Sequence, residues 1–177
     1  MRFLSFIGAL AIAMAVAAAV FFFGGYYNVA ATRPDPEIVA WSLQKVRTAS
    51  INRHAVEKPP VSMEDPAIVQ TGARAFAARG CTNCHGGPGV MKAKFSEGLH
   101  PEAADLEDVV KELDAAEIFW VVRNGISMTG MPGFNLVEAT DQEIWTIAAF
   151  VKQRPHVSDL DYAAWTAGVT PENPPNK

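Results

Sequence analysis

The chain has 177 residues, of which 15 are lysine or arginine and 19 are aspartate or glutamate, so its formal net charge is -4. A protein whose main partner is nucleic acid needs a dominant basic surface, which this composition excludes. The length suits one modest domain with extensions rather than two domains. The only two cysteines, Cys81 and Cys84, are too close in sequence for a framework of long-range disulfides.

The N-terminal segment predicts a membrane-spanning helix. The run from Phe3 to Phe23 carries no charge, and it is long enough to cross the hydrocarbon core of a bilayer. Arg2 is the only basic residue near this run, and by the positive-inside rule it keeps the N-terminus in the cytoplasm. We therefore predict a single-pass anchor over residues 1–25. A cleaved signal peptide with a cleavage site at Val29-Ala30-Ala31 is the alternative, and it exports the same domain.

Residues 26–64 are predicted to form a juxtamembrane helix and a linker. Asp35-Pro36 has the form of a helix start, with Asp as the cap and Pro in the first turn. Lys58-Pro59-Pro60 ends the helix in an extended linker. Basic residues outnumber acidic ones between residues 33 and 58, which suits a position near anionic lipid or an acidic partner. We favour a plain spacer helix, because the apolar stripe along this segment is weak.

The folded domain is predicted over residues 65–156 and is all helical. Three helices are indicated by apolar residues at helical spacing, because each set follows a capping residue. These capping residues are Asp65, Asp114 and Thr140. The same helices have stop signals at Gly80, Gly125 and Pro155. No alternation typical of a strand is present.

Two segments carry weaker predictions. Residues 105–117 are rich in acidic side chains, which favours a solvated loop and helix start over the alternative, a docking patch. Residues 157–177 are predicted to be a C-terminal extension. Leu160, Tyr162 and Trp165 add a packed turn there, and the Pro- and Asn-rich end is predicted to be disordered.

The motif Cys81-Thr82-Asn83-Cys84-His85 carries the strongest chemical signal. Two thiols at this spacing can add to the two vinyl groups of one haem, and the next residue supplies an imidazole to the iron. A thioredoxin-like redox pair needs a strand-helix-strand context, and a tetrahedral zinc site needs four ligands. Neither is indicated. We therefore predict one covalently attached haem c, with Cys81 and Cys84 as attachment points and His85 as the proximal iron ligand.

The distal iron ligand is predicted to be Met131. This residue lies between two predicted helices in the sequence Thr129-Gly130-Met131-Pro132-Gly133. There the glycine lets the backbone come close, the thioether is a soft neutral donor, and the proline stiffens the loop. Other residues with a suitable donor are Met91, His100 and Met128. Two further histidines are expected at the surface: His54, before the predicted domain, and His156, at its C-terminal end.

Three residues near the predicted haem have alternative roles. Pro88 either lends its backbone carbonyl to the ring N–H of His85 or closes a simple Gly/Pro turn. Trp120 and Arg123 lie three residues apart on one face of a predicted helix. They either contact the haem propionates or form a packed Trp beside a solvated Arg.

Taken together, these residues resemble a class I c-type cytochrome. In that family a first helix carries a Gly and an aromatic residue four positions later, and it crosses the last helix near another aromatic residue. Gly72, Phe76 and Trp145 match this pattern. More narrowly, the chain is similar to bacterial membrane-anchored monohaem cytochromes c. The shared stretches are Tyr27 to Thr32, Glu97 to Pro101, Phe119-Trp120, Asn124 to Pro132, and Ile144-Trp145 through Pro155.

The resemblance implies a small cytochrome c fold, with three or more helices around one covalent haem, after an N-terminal transmembrane helix. It implies an electron-transfer protein rather than an enzyme. Such a protein would carry single electrons between a respiratory or periplasmic dehydrogenase and an acceptor such as a terminal oxidase. Its haem domain would face the periplasm from the bacterial inner membrane. The alternatives are a haem subunit of a larger oxidoreductase complex, and a haem sensor or peroxidase with a labile distal Met.

Overall fold

The computed structural model describes residues 2–170. The chain folds into two compact units, Met1–Pro34 and Asp35–Lys177. Within the described residues there are eight α-helices and no β-strand, so the prediction of an all-helical fold is confirmed. The predicted disorder at the C-terminal end concerns residues 171–177, which lie outside the described range.

The first unit consists of helix α1 (Arg2–Phe23) and the short segment after it. Within α1, Phe3–Phe23 is a run of 21 residues with a mean hydropathy of 2.6, and none of it is buried within the protein. By length and composition this helix can cross a membrane. After the helix, the ring of Tyr27 lies 5.6 Å from that of Phe22. Aromatic rings at the end of an apolar helix suit the interface between lipid and water.

The second unit contains the other seven α-helices. These are α2 (Glu37–His54), α3 (Pro66–Ala78), α4 (Cys81–His85), α5 (Leu106–Glu112), α6 (Ala115–Asn124), α7 (Asp141–Gln153) and α8 (Asp159–Thr166).

The capping residues predicted for α3, α6 and α7 are confirmed. Asp65 accepts a hydrogen bond from the backbone N–H of Ala67 at 2.9 Å. Asp114 and Glu117 form a capping box, in which each side chain accepts from the backbone N–H of the other residue. The Thr140 hydroxyl accepts from the N–H of Glu143 at 3.2 Å. Each cap satisfies a backbone donor that the first turn leaves without a partner.

The acidic segment contains more helix than expected, because α5 forms inside it. Asp105 caps this helix by accepting from the backbone N–H of Glu107 at 2.9 Å. Acidic side chains in the first turn also stabilise a helix N-terminus. Burial of Leu106 then attaches α5 to the core.

The predicted start of α2 is wrong by one position. Pro36, not Asp35, occupies the N-cap position, and it makes no side-chain cap. The Asp35 carboxylate lies instead 3.6 Å from Nε2 of His100. A long-range polar contact has therefore replaced the local cap that the sequence indicates.

Helices α3 and α7 cross at the centre of the core, where Gly72 lies against the backbone of Thr146. A Cβ at position 72 would overlap the Thr146 carbonyl. Phe76 packs on Phe150, with ring centroids 5.2 Å apart. Trp145 lies elsewhere, stacked on Phe119 of α6 at 4.1 Å. The predicted Gly72 crossing is thus present, but the aromatic partner of Phe76 is Phe150, because Trp145 lies on another face of α7.

A partly buried ion pair joins the end of α3 to the start of α7. The Arg79 guanidinium donates two hydrogen bonds to the Glu143 carboxylate, at 2.7 and 2.9 Å. Its third nitrogen donates to the Val137 carbonyl at 3.1 Å. This two-point geometry is the strongest form of an Arg–carboxylate pair. It fixes the residues that lead into the Cys-X-X-Cys-His motif.

The C-terminal end of α2 packs on α6, so the interpretation of α2 as a plain spacer does not hold for this end. Ile51 is only 4% exposed. The His54 ring stacks on Trp120, with centroids 5.9 Å apart. The Asn52 amide, in the orientation that satisfies its neighbours, donates to Glu117 at 2.9 Å. His54 is exposed as expected, yet it contributes to this contact.

We expect Ile51→Ala to lower the free energy of unfolding by about 2 kcal/mol or more, because it removes buried apolar volume between α2 and α6. The matched control is Val46→Ala on the same helix, where the side chain is 66% exposed and the expected change is under about 0.5 kcal/mol. Urea unfolding of the haem-loaded chain in detergent measures both. Equal effects from the two variants would mean that α2 is not part of the folded domain.

Candidate functional site

The predicted attachment motif forms its own short helix, set off from α3 by a glycine. Gly80 has a φ of 73°, in the left-handed region that favours glycine. It ends α3, as predicted, and turns the chain so that Cys81–His85 begins a new turn as α4. Both thiols and the imidazole are therefore presented from one turn of backbone.

The two thiols are free and partly buried. Burial raises the pKa of Cys81 to about 12. A redox-active Cys-X-X-Cys pair needs a thiol whose pKa is lowered, since the thiolate is the reactive form. This environment therefore counts against a thioredoxin-like pair, in agreement with the sequence.

The His85 ring is oriented by a backbone carbonyl. Its Nδ1 lies 3.0 Å from the Ala104 oxygen, and since a carbonyl only accepts, Nδ1 carries the proton. Nε2 is then left as the nitrogen that can bind a metal. Burial lowers the pKa of His85, and the charges of Lys92 and Arg154 lower it further. The ring is therefore held neutral, which is the form that binds iron.

Of the two roles weighed for Pro88, the structure supports the turn. The chain closes at Gly87 and Val90, which exchange backbone hydrogen bonds at 2.8 and 2.9 Å. The carbonyl that orients His85 belongs to Ala104, 19 residues further along the chain. Nothing in the local sequence distinguishes this carbonyl.

The candidate distal ligands differ in their surroundings. Met131 is partly buried and packs against the hydrophobic core. Met91 and Met128 are 89% and 84% exposed, and His100 faces Asp35. Among these candidates Met131 alone is packed on the core. Its assignment as the distal ligand stays a prediction.

The loop that carries Met131 is held by its backbone. The Met131 carbonyl accepts from the N–H of Ile126 at 3.2 Å. The Thr129 hydroxyl accepts from the Met131 N–H at 3.1 Å and donates to the Ile126 carbonyl at 2.8 Å. Gly125 has a φ of 68°, and a Cβ there would lie 2.7 Å from the Met131 oxygen. The sequence marked Gly125 only as a helix stop, whereas the fold also needs it for this close approach.

Trp120 and Arg123 have protein partners. Trp120 packs on His54, and Arg123 donates to Asp141 at 2.8 Å. The structure therefore supports the packing alternative for Trp120. Arg123 is 36% exposed, so it is solvated as expected, and it also forms an ion pair between α6 and α7.

Tyr162 of α8 is a site residue that the sequence marked only as part of a packed turn. It is 1% exposed and stacks on Phe150 at 5.5 Å. A Cβ at Gly87 would lie 2.8 Å from its ring and 3.2 Å from Thr82. Helix α8 thus packs directly against α4 and the turn after it. The contact joins residues far apart in sequence, so the sequence alone does not indicate it.

These residues suit one covalently bound haem. The site offers two free thiols, a neutral imidazole whose second nitrogen has a hydrogen-bond partner, and a thioether packed on the core. Over residues 2–170 no group of three or more His, Cys, Asp or Glu side chains is placed to hold a metal ion. A haem site takes its iron ligands differently, one on each face of the ring.

The fold and the motif together define a class I c-type cytochrome domain, which carries covalently bound haem c and transfers electrons. Residues 67–151 match the family model described as cytochrome c oxidase, cbb3-type, subunit III. This segment contains the motif, the Met131 loop and most of α7. No curated protein and no solved structure matches the chain.

Proposed function

We propose that this chain is a membrane-tethered monohaem cytochrome c that carries single electrons on the periplasmic side of a bacterial inner membrane. Residues 1–25 would be its anchor, 26–64 the juxtamembrane segment, 65–156 the cytochrome domain and 157–177 an extension. Two observations support the proposal: the His85 ring is neutral and oriented, and Met131 is packed on the core. Two protein ligands leave no position for a substrate.

In this mechanism the residues of the chain hold the iron site rigid. Haem c, when bound, supplies a one-electron couple. His85 donates from Nδ1 to Ala104 and so presents Nε2 in a fixed direction. The hydrogen-bonded loop holds Met131 in place. Little rearrangement then accompanies a change of charge, and neutral imidazole and thioether ligands favour a positive reduction potential.

The proposed anchor would restrict partner encounters to the membrane surface. Helix α1 has the length and composition of a membrane span, and tethering raises the effective concentration of partners at that surface. A dehydrogenase as donor and a terminal oxidase as acceptor are the partners we propose. Redox encounters of this kind are usually small and transient.

The spectrum of the haem-loaded full chain in mild detergent tests this proposal. We expect the oxidised protein to show the sulfur-to-ferric-iron charge-transfer band. We expect the ferrous protein not to bind carbon monoxide at neutral pH. Loss of the band together with ready uptake of carbon monoxide would overturn the carrier function. The sensor or peroxidase function with a labile Met would then be the better conclusion.

A second candidate is a fixed haem subunit of a larger oxidoreductase. The observation that favours it is the matching family model, whose description is that of an oxidase subunit. The same detergent extract separates the two candidates. A free carrier elutes alone in size-exclusion chromatography, whereas a fixed subunit stays with stoichiometric partners.

A further inference from the structure

Two cationic side chains lie on the His85 side of the site, and the proposed function uses them only to keep the His85 ring neutral. Arg154 follows α7, and its side chain is only 12% exposed. Its Nε and Nη1 are buried, and neither has a hydrogen-bond partner within residues 2–170. The nearest acid is Glu107, 3.8 Å from Nη1, and the Glu107 side chain is 55% exposed. A buried charge with so weak a partner is costly, so it needs an explanation.

Lys92 is the second of these cations; it is less buried than Arg154 and has hydrogen-bond partners. Its half-buried side chain places Nζ 3.3 Å from the Glu102 carboxylate and 3.4 Å from the Ala103 carbonyl. Glu102 is mostly exposed, so water screens its charge.

One short segment connects both cations to His85. Residues 102–107 supply the acid and carbonyl that contact Lys92, the Ala104 carbonyl that orients His85, and the acid that faces Arg154. The positive charges are the more buried members of their pairs, while the negative charges face water. Because water screens the exposed acids more than the buried cations, the field of these two pairs on their buried side is positive.

A positive field changes the redox equilibrium of a haem held by His85. Ferric haem carries one more positive charge than ferrous haem, so a nearby positive field destabilises the oxidised state. Burial makes each charge count for more, because the surrounding dielectric constant is low.

We propose that Lys92 and Arg154 set the reduction potential of the haem by holding two positive charges beside His85 that favour the ferrous state. This inference rests on the proposed role of His85 as the proximal ligand. A merely structural role for the two cations, as a clamp on residues 102–107, would leave the potential unaffected by their charge.

The test is a redox titration of the haem-loaded full chain. We expect Lys92→Met and Arg154→Met each to shift the equilibrium constant for reduction by about threefold to tenfold towards the oxidised state. For a one-electron couple this lowers the reduction potential by about 28 to 59 mV. Arg154→Lys and Lys92→Arg keep the charge and should stay close to the wild-type potential. Lys111→Met removes an exposed cation paired with Asp108 and is the matched control, with no expected shift.

A second variant keeps the test informative if Arg154→Met does not fold. Glu107→Gln removes the acid that faces Arg154 and should raise the potential, because it leaves the positive charge less balanced. The shifts should persist in high salt, which screens surface charges far more than buried ones. Unchanged potentials in the Met variants, or a fall in Glu107→Gln, would overturn the proposal. The charge-transfer band recorded on the same samples reports separately whether axial ligation, and with it the proposed function, holds.

Discussion

Met131→Ala is expected to abolish the sulfur-to-ferric-iron band and to let the ferrous protein bind carbon monoxide. The thioether is the proposed distal ligand, and Ala has no donor to replace it. We also expect the midpoint potential to fall by on the order of 0.1 V or more, within the range of about 0.8 V that axial ligands span. Absorption spectra of both oxidation states and a redox titration measure these changes.

Met128→Ala is the matched control, because Met128 lies in the same loop and is 84% exposed. It should keep the band, the potential and the resistance to carbon monoxide. If Met131→Ala retained the band and Met128→Ala lost it, the distal ligand would be Met128 and our assignment would be wrong. If neither variant lost the band, the distal ligand would be Met91, the remaining sulfur donor among the candidates.

Gly72→Ala should have the largest effect on folding. The added Cβ would overlap the Thr146 carbonyl, and a backbone atom inside a helix cannot move aside as a flexible side chain can. Helices α3 and α7 would have to separate along the central contact of the core. We expect a loss of about 3 kcal/mol or more in the free energy of unfolding, which is at or above the upper end for overpacking. Urea unfolding and the yield of haem-loaded protein measure it.

Gly98→Ala is the control for this substitution. A Cβ at Gly98 has no neighbouring atom within 4 Å, and Gly98 does not have a left-handed φ. The expected change is under about 0.5 kcal/mol, as for most surface substitutions. A Gly72→Ala protein as stable as the Gly98→Ala protein would show that the α3–α7 contact is looser than the structure describes.

Features that depend on neighbouring residues were predictable. The caps at Asp65, Asp114 and Thr140 use donors two or three residues away, so sequence spacing alone indicates them. The same is true of the stop at Gly80, where a left-handed φ is needed. The Asp35 cap failed for a different reason, since its carboxylate found a partner 65 positions away in His100.

The features that the sequence did not specify are contacts between distant parts of the chain. The carbonyl for His85 comes from Ala104 rather than Pro88, and any residue type could have supplied it, because a backbone oxygen has no side-chain signature. The end of α2 looked like a spacer because its apolar stripe is weak. One buried residue, Ile51, and the stack of His54 on Trp120 attach it to the domain.

Local properties of the chain, namely helix caps, hydrophobic runs and motif spacing, are enough to predict the helical class, the apolar N-terminal run and the Cys81–His85 motif. Tertiary packing is needed to know which carbonyl orients His85, which aromatic ring contacts Phe76 and where the charge of Arg154 lies. These depend on how α3, α7 and the segment 102–107 pack together. Packing brings together atoms whose separation along the chain carries no information about their distance in space.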